Sequence, residues 1–199
     1  MICIAGQMRS GKNVVGEYLC ENKNYTLASF AKPVKQIFCD TFGKNLDFVE
    51  EWKVKKEPPE NFKKSIRQAL QFIGDGFRQI KSDVWVEYAM RTSPNNACFT
   101  DGRYINELKA IKEQGGKNIL LWRPGYENDD SNASESQIKV IVDWYKERFF
   151  KTGEQGRVIR SRFESWENDS HPTGVEYVDY FLINDGGISC MYKKLDELF

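Results

Sequence analysis

The chain has 199 residues, enough for one α/β domain with a substantial core and too few for two full ones. Lysine plus arginine and aspartate plus glutamate each number 29, so the formal net charge is zero, and no long basic run points to duplex nucleic acid or a membrane surface. Five cysteines without a C-x-x-C pair indicate reduced thiols and a cytoplasmic location, a single histidine (His171) excludes zinc motifs of the H-E-x-x-H type, and no apolar run is long enough to span a membrane.

In chain order, Met1 to Ala5 is a short apolar run that reads as a buried strand. The segment Gly6-Gln7-Met8-Arg9-Ser10-Gly11-Lys12-Asn13 then satisfies G-x-x-x-x-G-K, and Val14 to Asn22 carries Val15 and Leu19 at helical spacing. Strand, glycine loop and helix are the context in which backbone N–H groups curve around phosphate oxygens, the helix N-terminus adds positive potential and Lys12 supplies a mobile charge. Asn13 stands where Ser or Thr is usual, and its amide oxygen is a weaker, neutral ligand for a metal.

A second strand is expected over Tyr25 to Phe30, then a helix over Lys32 to Phe42 with Pro33 in its first turn. Lys44 to Pro59 reads as charged and irregular. Phe62, Ile66, Ala69, Leu70 and Ile73 recur at helical spacing, with Arg67 and Gln71 one turn apart on another face, until Gly74-Asp75-Gly76 interrupts and Arg78 follows. A helix starts from Ser82 as N-cap, and Ala97 to Thr100 is a strand ending at Asp101. A helix over Asn106 to Glu113 closed by Gly115-Gly116 and a strand over Ile119 to Trp122 come next. The alternation implies a parallel sheet covered by helices.

From Arg123 to His171 the sequence turns polar around one amphipathic helix carrying Ile138, Ile141, Val142, Tyr145 and Phe149, an insertion able to cover a site. Tyr177 to Ile183 returns to strand, Asn184 to Gly187 is a turn, and Ile188 to Leu198 forms a closing helix.

In open α/β sheets ligands bind beyond the carboxyl ends of the strands, where the glycine loop, Asp101, Arg103, Arg123 and the Asn184 turn all fall. Asp101 is placed to hold hydrated Mg2+ directly or through water. Guanidinium groups suit phosphoryl transfer because each can bind two phosphate oxygens, and the candidates are Arg67, Arg78, Arg103 and, in the insertion, Arg157, Arg160 and Arg162.

Four blocks, taken together, resemble the bacteriophage-type deoxynucleoside monophosphate kinases, a branch of the P-loop nucleoside monophosphate kinase fold. They are Gly6 to Asn13; Arg67-Gln68-Ala69-Leu70-Gln71-Phe72-Ile73-Gly74-Asp75 with Asp83-Val84-Trp85-Val86; Asp101-Gly102-Arg103-Tyr104-Ile105-Asn106-Glu107 through Arg123-Pro124-Gly125; and Ser170-His171-Pro172-Thr173 with Ile183-Asn184-Asp185-Gly186-Gly187. The resemblance implies a three-layer α/β/α domain over 1–199 with a mostly parallel five-stranded sheet, an acceptor-nucleotide region at about 44–92 and a lid at about 124–171. It implies ATP as donor with Mg2+, and phosphorylation of deoxynucleoside monophosphates to diphosphates. Gly6, Arg9, Ser10, Gly11, Lys12, Asn13, Asn184 and Gly186 would bind ATP. Arg67, Gln71, Arg78, Asp83 and Trp85 would line the acceptor side, and Lys12, Arg67, Arg78, Arg103 and Arg123 would be catalytic, with Asn13 and Asp101 toward the metal. The family loop commonly continues Gly-Lys-Asp, so Asn13 is a departure, as is Gly174 after His171-Pro172-Thr173. The expected partners are small nucleotides, with no nucleic acid and no membrane, and a homodimer stays open. Two rival expectations remain: a P-loop kinase of phosphomevalonate or dephospho-coenzyme A type, and an ATP-binding regulator without transfer.

Overall fold

The computed structural model describes residues 1–126, 133–152, 159–160 and 171–199. The chain divides into two compact units, one formed by Met1–Ser29 with Ser93–Phe199 and the other by Phe30–Thr92.

The first unit is built on a six-stranded sheet of order β2-β3-β1-β4-β6-β5. Its strands are β1 (Ile2–Ala5), β2 (Thr26–Ala28), β3 (Ala97–Gly102), β4 (Lys117–Trp122), β5 (Ile159–Arg160) and β6 (Tyr180–Ile183). The first five in spatial order are mutually parallel, as expected, and the two-residue β5 adds an antiparallel edge that the sequence did not suggest. β1 is wholly buried because both its faces are covered, which explains its unbroken apolar run. One face of the sheet packs on α1 (Lys12–Asn22) and on Met191 and Leu195 of the helix Ile188–Asp196. On the other, Leu108 and Ile111 of the helix Ile105–Glu113 are fully buried, and Tyr145 of the helix Ala133–Thr152 stacks on Phe181 of β6 at 5.2 Å. The result is a three-layer α/β/α sandwich.

The second unit contains α2 (Lys32–Phe42), α3 (Leu46–Trp52), α4 (Ile66–Ile80) and α5 (Val84–Thr92). The helices already placed in the first unit are then α6 (Ile105–Glu113), α7 (Ala133–Thr152) and α8 (Ile188–Asp196). Phe38, Cys39, Val49 and Ile66 form the buried core of this unit, with Phe62 stacked on Phe38.

Four expectations change here. The stretch expected to be irregular contains α3, started by Asn45, whose side chain accepts from Phe48 N. α4 does not break at Gly74-Asp75-Gly76 but runs on to Ile80, held at its start by a capping box between Ser65 and Gln68 and at its middle by the Trp85 indole, whose Nε1 donates to Gly74 O at 3.0 Å. α5 begins two residues after Ser82, with Glu87 N bonding to Asp83 O. Similarly, Val175–Tyr177 is a 3-10 turn entered through Gly174 at φ 103°, so β6 starts only at Tyr180.

Candidate phosphate-binding site

The glycine loop leaves the buried end of β1 and enters α1, both inside the first unit. Gly6 is closed against β4: a Cβ there would lie 2.3 Å from Leu121 O. Gly11, the N-cap of α1, has φ 102°, and a Cβ on it would meet Asn184 Nδ2 at 2.7 Å. Both positions require glycine, for close approach and for a positive φ, which is 152° at Gly6. Arg9 also takes a left-handed conformation, φ 65°, with its side chain exposed.

No side chain caps the N-terminus of α1, and its first turn has no acid. The partial positive charge of an eleven-residue helix is therefore left uncompensated by carboxylates of that turn, which favours an anion. Lys12 folds over the loop, its Nζ donating to Gly6 O at 2.8 Å and Gln7 O at 2.7 Å. Asn13, one residue on, is exposed.

The loop is braced from β6. Asn184 donates through Nδ2 to Ser10 O at 3.0 Å, and its backbone N–H donates to Trp122 O at 2.7 Å. Beneath this turn, buried Lys194 donates to Ile183 O at 2.6 Å and pairs with Asp185 at 2.8 Å. A buried ammonium needs such partners, and here they fix the turn that holds the loop.

Asp101 lies where β3 departs from regular register: Cys3 pairs with Phe99 but Ala5 pairs with Gly102, so Thr100 and Asp101 together face Ile4. A bulge re-aims the side chains beside it. The Asp101 carboxylate accepts from Ser29 Oγ at 2.7 Å, a residue at the end of β2. Just beyond, the buried Glu107 carboxylate accepts from the backbone N–H of Arg103 at 2.7 Å and of Tyr104 at 3.0 Å, fixing the turn that carries Arg103. Burial, reinforced by Glu107 and Asp101, drives the thiol of Cys3 well above its ordinary pKa, so it is a neutral core group beneath this acidic pair. Arg123, at the end of β4, lays its guanidinium over the Tyr126 ring at 3.9 Å.

Among the described residues no cluster of three or more His, Cys, Asp or Glu can hold a metal by itself. Mg2+ commonly keeps several waters and takes one or two carboxylates plus substrate phosphates, and a single carboxylate at Asp101 with the exposed amide of Asn13 fits that pattern.

In the second unit, continuity of α4 has a consequence for the acceptor candidates. Arg67, Gln71, Gly74 and Arg78 fall at i, i+4, i+7 and i+11, on one stripe of a single helix. Arg67 Nε donates to Lys53 O at 3.4 Å, and Arg78 pairs with Asp75 at 3.1 Å. Trp85 is only 4% exposed and its N–H is engaged by Gly74 O, so it can offer a ligand ring surface but no hydrogen bond. Asp83 is exposed at the start of α5. A hollow of about 330 Å³ opens beside Trp85, walled by Pro33, Ile37, Phe77 and Tyr88 and rimmed by Gln36, Glu87 and Arg91; Arg67, Gln71, Arg78 and Asp83 are not among its lining residues.

Within the first unit, then, Gly6, Ser10, Gly11, Lys12 and Asn184 are joined by direct contacts, while Gly186 sits in the exposed turn that follows. Arg157 and Arg162 lie outside the described residues, as does much of the expected lid; Arg160 belongs to β5. Sequence reasoning missed Ser29, which has no local signal 72 residues from Asp101, and Lys194, whose burial only the closing helix reveals. It also gave Glu107 no role, although its place three residues after Tyr104 has capping-box spacing.

A mostly parallel sheet whose central strand runs through a G-x-x-x-x-G-K loop into the following helix is a three-layer α/β/α fold of P-loop type. No family model matches the sequence. The chain is similar to a protein of Acanthamoeba polyphaga mimivirus named "Putative deoxynucleotide monophosphate kinase", 29% identical over 164 residues that cover 72% of this chain and 84% of that one. The crystal structure of shikimate kinase from Bacteroides thetaiotaomicron aligns with a TM-score of 0.39 and 12% identity, over 99% of this chain and 96% of the other. Among the described residues no helix is long and apolar enough to cross a membrane.

Proposed function

We propose that the protein transfers the γ-phosphoryl group of ATP to a deoxynucleoside 5′-monophosphate, giving ADP and the diphosphate. The observation that carries this reading is the loop at the uncapped N-terminus of α1, with Lys12 folded over it and Asn184 bracing it. The similarity to the mimivirus protein supports the choice of acceptor.

The bond from the γ-phosphorus to the ADP oxygen breaks as a bond forms to an oxygen of the acceptor phosphate. That oxygen is already anionic near neutral pH, so no protein nucleophile or base is needed, and the work of the protein is positioning and charge stabilisation. Lys12 leaves the Gly6 and Gln7 carbonyls for the donor phosphates, and the loop N–H groups hold them. Mg2+, held through Asp101 and the Asn13 amide oxygen with water, would neutralise phosphate charge. Ser29 fixes one oxygen of that aspartate, and Glu107 fixes the backbone of Arg103, which meets phosphate together with Arg123. On the acceptor side Arg67 and Arg78 bind phosphate, Gln71 and Asp83 contact the nucleoside, and the hollow beside Trp85 takes the base. The Asn184–Gly186 turn faces the donor adenine.

Coupled measurement of ADP release with each deoxynucleoside monophosphate tests the proposal, with the expected result being turnover on at least one. Phosphomevalonate and dephospho-coenzyme A belong in the same screen. Folded protein that binds ATP but turns over no deoxynucleoside monophosphate refutes it.

A further inference from the structure

Two cysteines meet where α1 packs on β3. β1 and β2 both run parallel to β3, so α1, which joins them, runs the opposite way. Gly16 lies on Thr100, for a Cβ there would stand 2.2 Å from Thr100 Cγ2. One turn forward from Gly16 is about 6 Å and two residues back along β3 is about 6.6 Å, so the same line of contact sets Cys20 on Cys98. Cys98 is fully buried in the core that holds Val15 and Leu19, and Cys20 packs against that core from a partly exposed position. The Cys98 thiol donates a hydrogen bond to the Cys20 sulfur.

The two thiols differ in access. Cys20 is open to a small solute, whereas Cys98 meets the Cys20 sulfur from inside the core. Burial raises both thiols, Cys98 to about 12, while the bond from Cys98 lowers Cys20, so Cys20 ionises first. The more reactive sulfur is thus the accessible one, and a second thiol stands behind it.

We propose that Cys20 and Cys98 are a modification site, a dithiol that small hydroperoxides convert reversibly to an internal disulfide. The Cys20 sulfur attacks a peroxide oxygen, the O–O bond breaks, and Cys20 becomes a sulfenic acid as one water leaves. The Cys98 sulfur then attacks Cys20, the S–O bond breaks as the S–S bond forms, and the Cys98 proton departs with the hydroxyl as a second water. The two thiols together lose two electrons and two protons, and the peroxide takes them up. The bond closes a loop of chain that contains the whole Phe30–Thr92 unit, so it restricts the unfolded chain and stabilises the fold. None of this depends on the kinase reading.

The test treats the folded full chain with hydrogen peroxide and maps its peptides without reduction. The expected result is a Cys20 peptide joined to a Cys98 peptide, released by dithiothreitol. In Cys190→Ser, which removes the exposed thiol, the count of thiols in unfolded protein falls by two on oxidation and recovers on reduction. The unfolding midpoint of the oxidised protein rises by about 5 °C or more, and Cys20→Ser shows no such rise. A different pairing, a thiol count in Cys190→Ser that does not fall by two, or over-oxidised Cys20 with Cys98 still free overturns the proposal. A midpoint that falls when the bond forms also overturns it, for the fold would then be strained by the link rather than built to accept it.

Discussion

Gly16 lies on the buried face of α1, and a Cβ at that position would stand 2.2 Å from Thr100 Cγ2 and 3.6 Å from the terminal methyls of Ile4 and Leu27. Two effects of Gly16→Ala oppose each other. Removing a glycine from a helix interior is worth about 1 kcal/mol, while forcing a methyl into packed space costs about 1–3 kcal/mol. The Ile4 and Leu27 contacts are ordinary, so the outcome turns on Thr100. Its side chain must leave its rotamer, at about 0.5–1.5 kcal/mol, or α1 must lift from β3. The balance is a destabilisation of up to about 2 kcal/mol, a fall in the unfolding midpoint of up to about 8 °C for a chain of this size. Thr100→Ser deletes the offending methyl, and in that background Gly16→Ala becomes neutral or stabilising by up to about 1 kcal/mol. Thermal unfolding of the two single variants and the double variant measures the cycle. A higher midpoint for Gly16→Ala in the wild-type background refutes the argument, for it would mean that α1 and β3 have slack to give. Because Thr100 shares its bulge with Asp101, the single variant is also expected to lower turnover more than its stability loss explains.

Lys12→Ala abolishes transfer in the coupled assay, whereas Asn13→Ala lowers it modestly; equal damage from both would show that Asn13, not Asp101, carries the metal. Lys194→Met strands Ile183 O and Asp185, costing about 1–3 kcal/mol in urea unfolding and weakening ATP binding through the Asn184 turn; unchanged ATP affinity at reduced stability would dissociate that turn from the loop. Native labelling by a thiolate-directed reagent at pH 8 gives one fast equivalent at exposed Cys190, because burial pushes Cys98 up to about 12 and raises Cys3, Cys20 and Cys39 as well. Rapid reaction of Cys98 in folded protein would contradict its packing.

The strand–loop–helix around Lys12 was legible from sequence because it is local: loop, Lys12 and helix start are contiguous, and the glycine positions follow from backbone geometry. α3 was not legible because it is only seven residues long, too short for Leu46, Phe48, Val49 and Trp52 to establish a helical period within a charged stretch. The apparent break in α4 came from weighing Gly74 and Gly76 by propensity alone. The Trp85 indole eleven residues on and the packing of Ala69, Leu70 and Ile73 outweigh that propensity, and no window of local sequence contains them. The Ser29–Asp101 and Lys194–Ile183 bonds were hidden for the same reason, since each joins residues that only the closed sheet brings together.

The position of β1 bears on how the protein comes into being. Although it is the first strand in the chain, both its neighbours, β3 and β4, come from residues 97 to 122, and the turn that braces its loop comes from Asn184. During synthesis the glycine loop is therefore made before the elements that fix it, which follow only after the interposed helical unit and most of the sheet have been added. Pairing at such separation is slow, and β1 has no partner to cover its apolar backbone in the interval. The Phe30–Thr92 unit has its own buried core and draws on contiguous chain, so it can form stable structure before the strands that flank β1 are made.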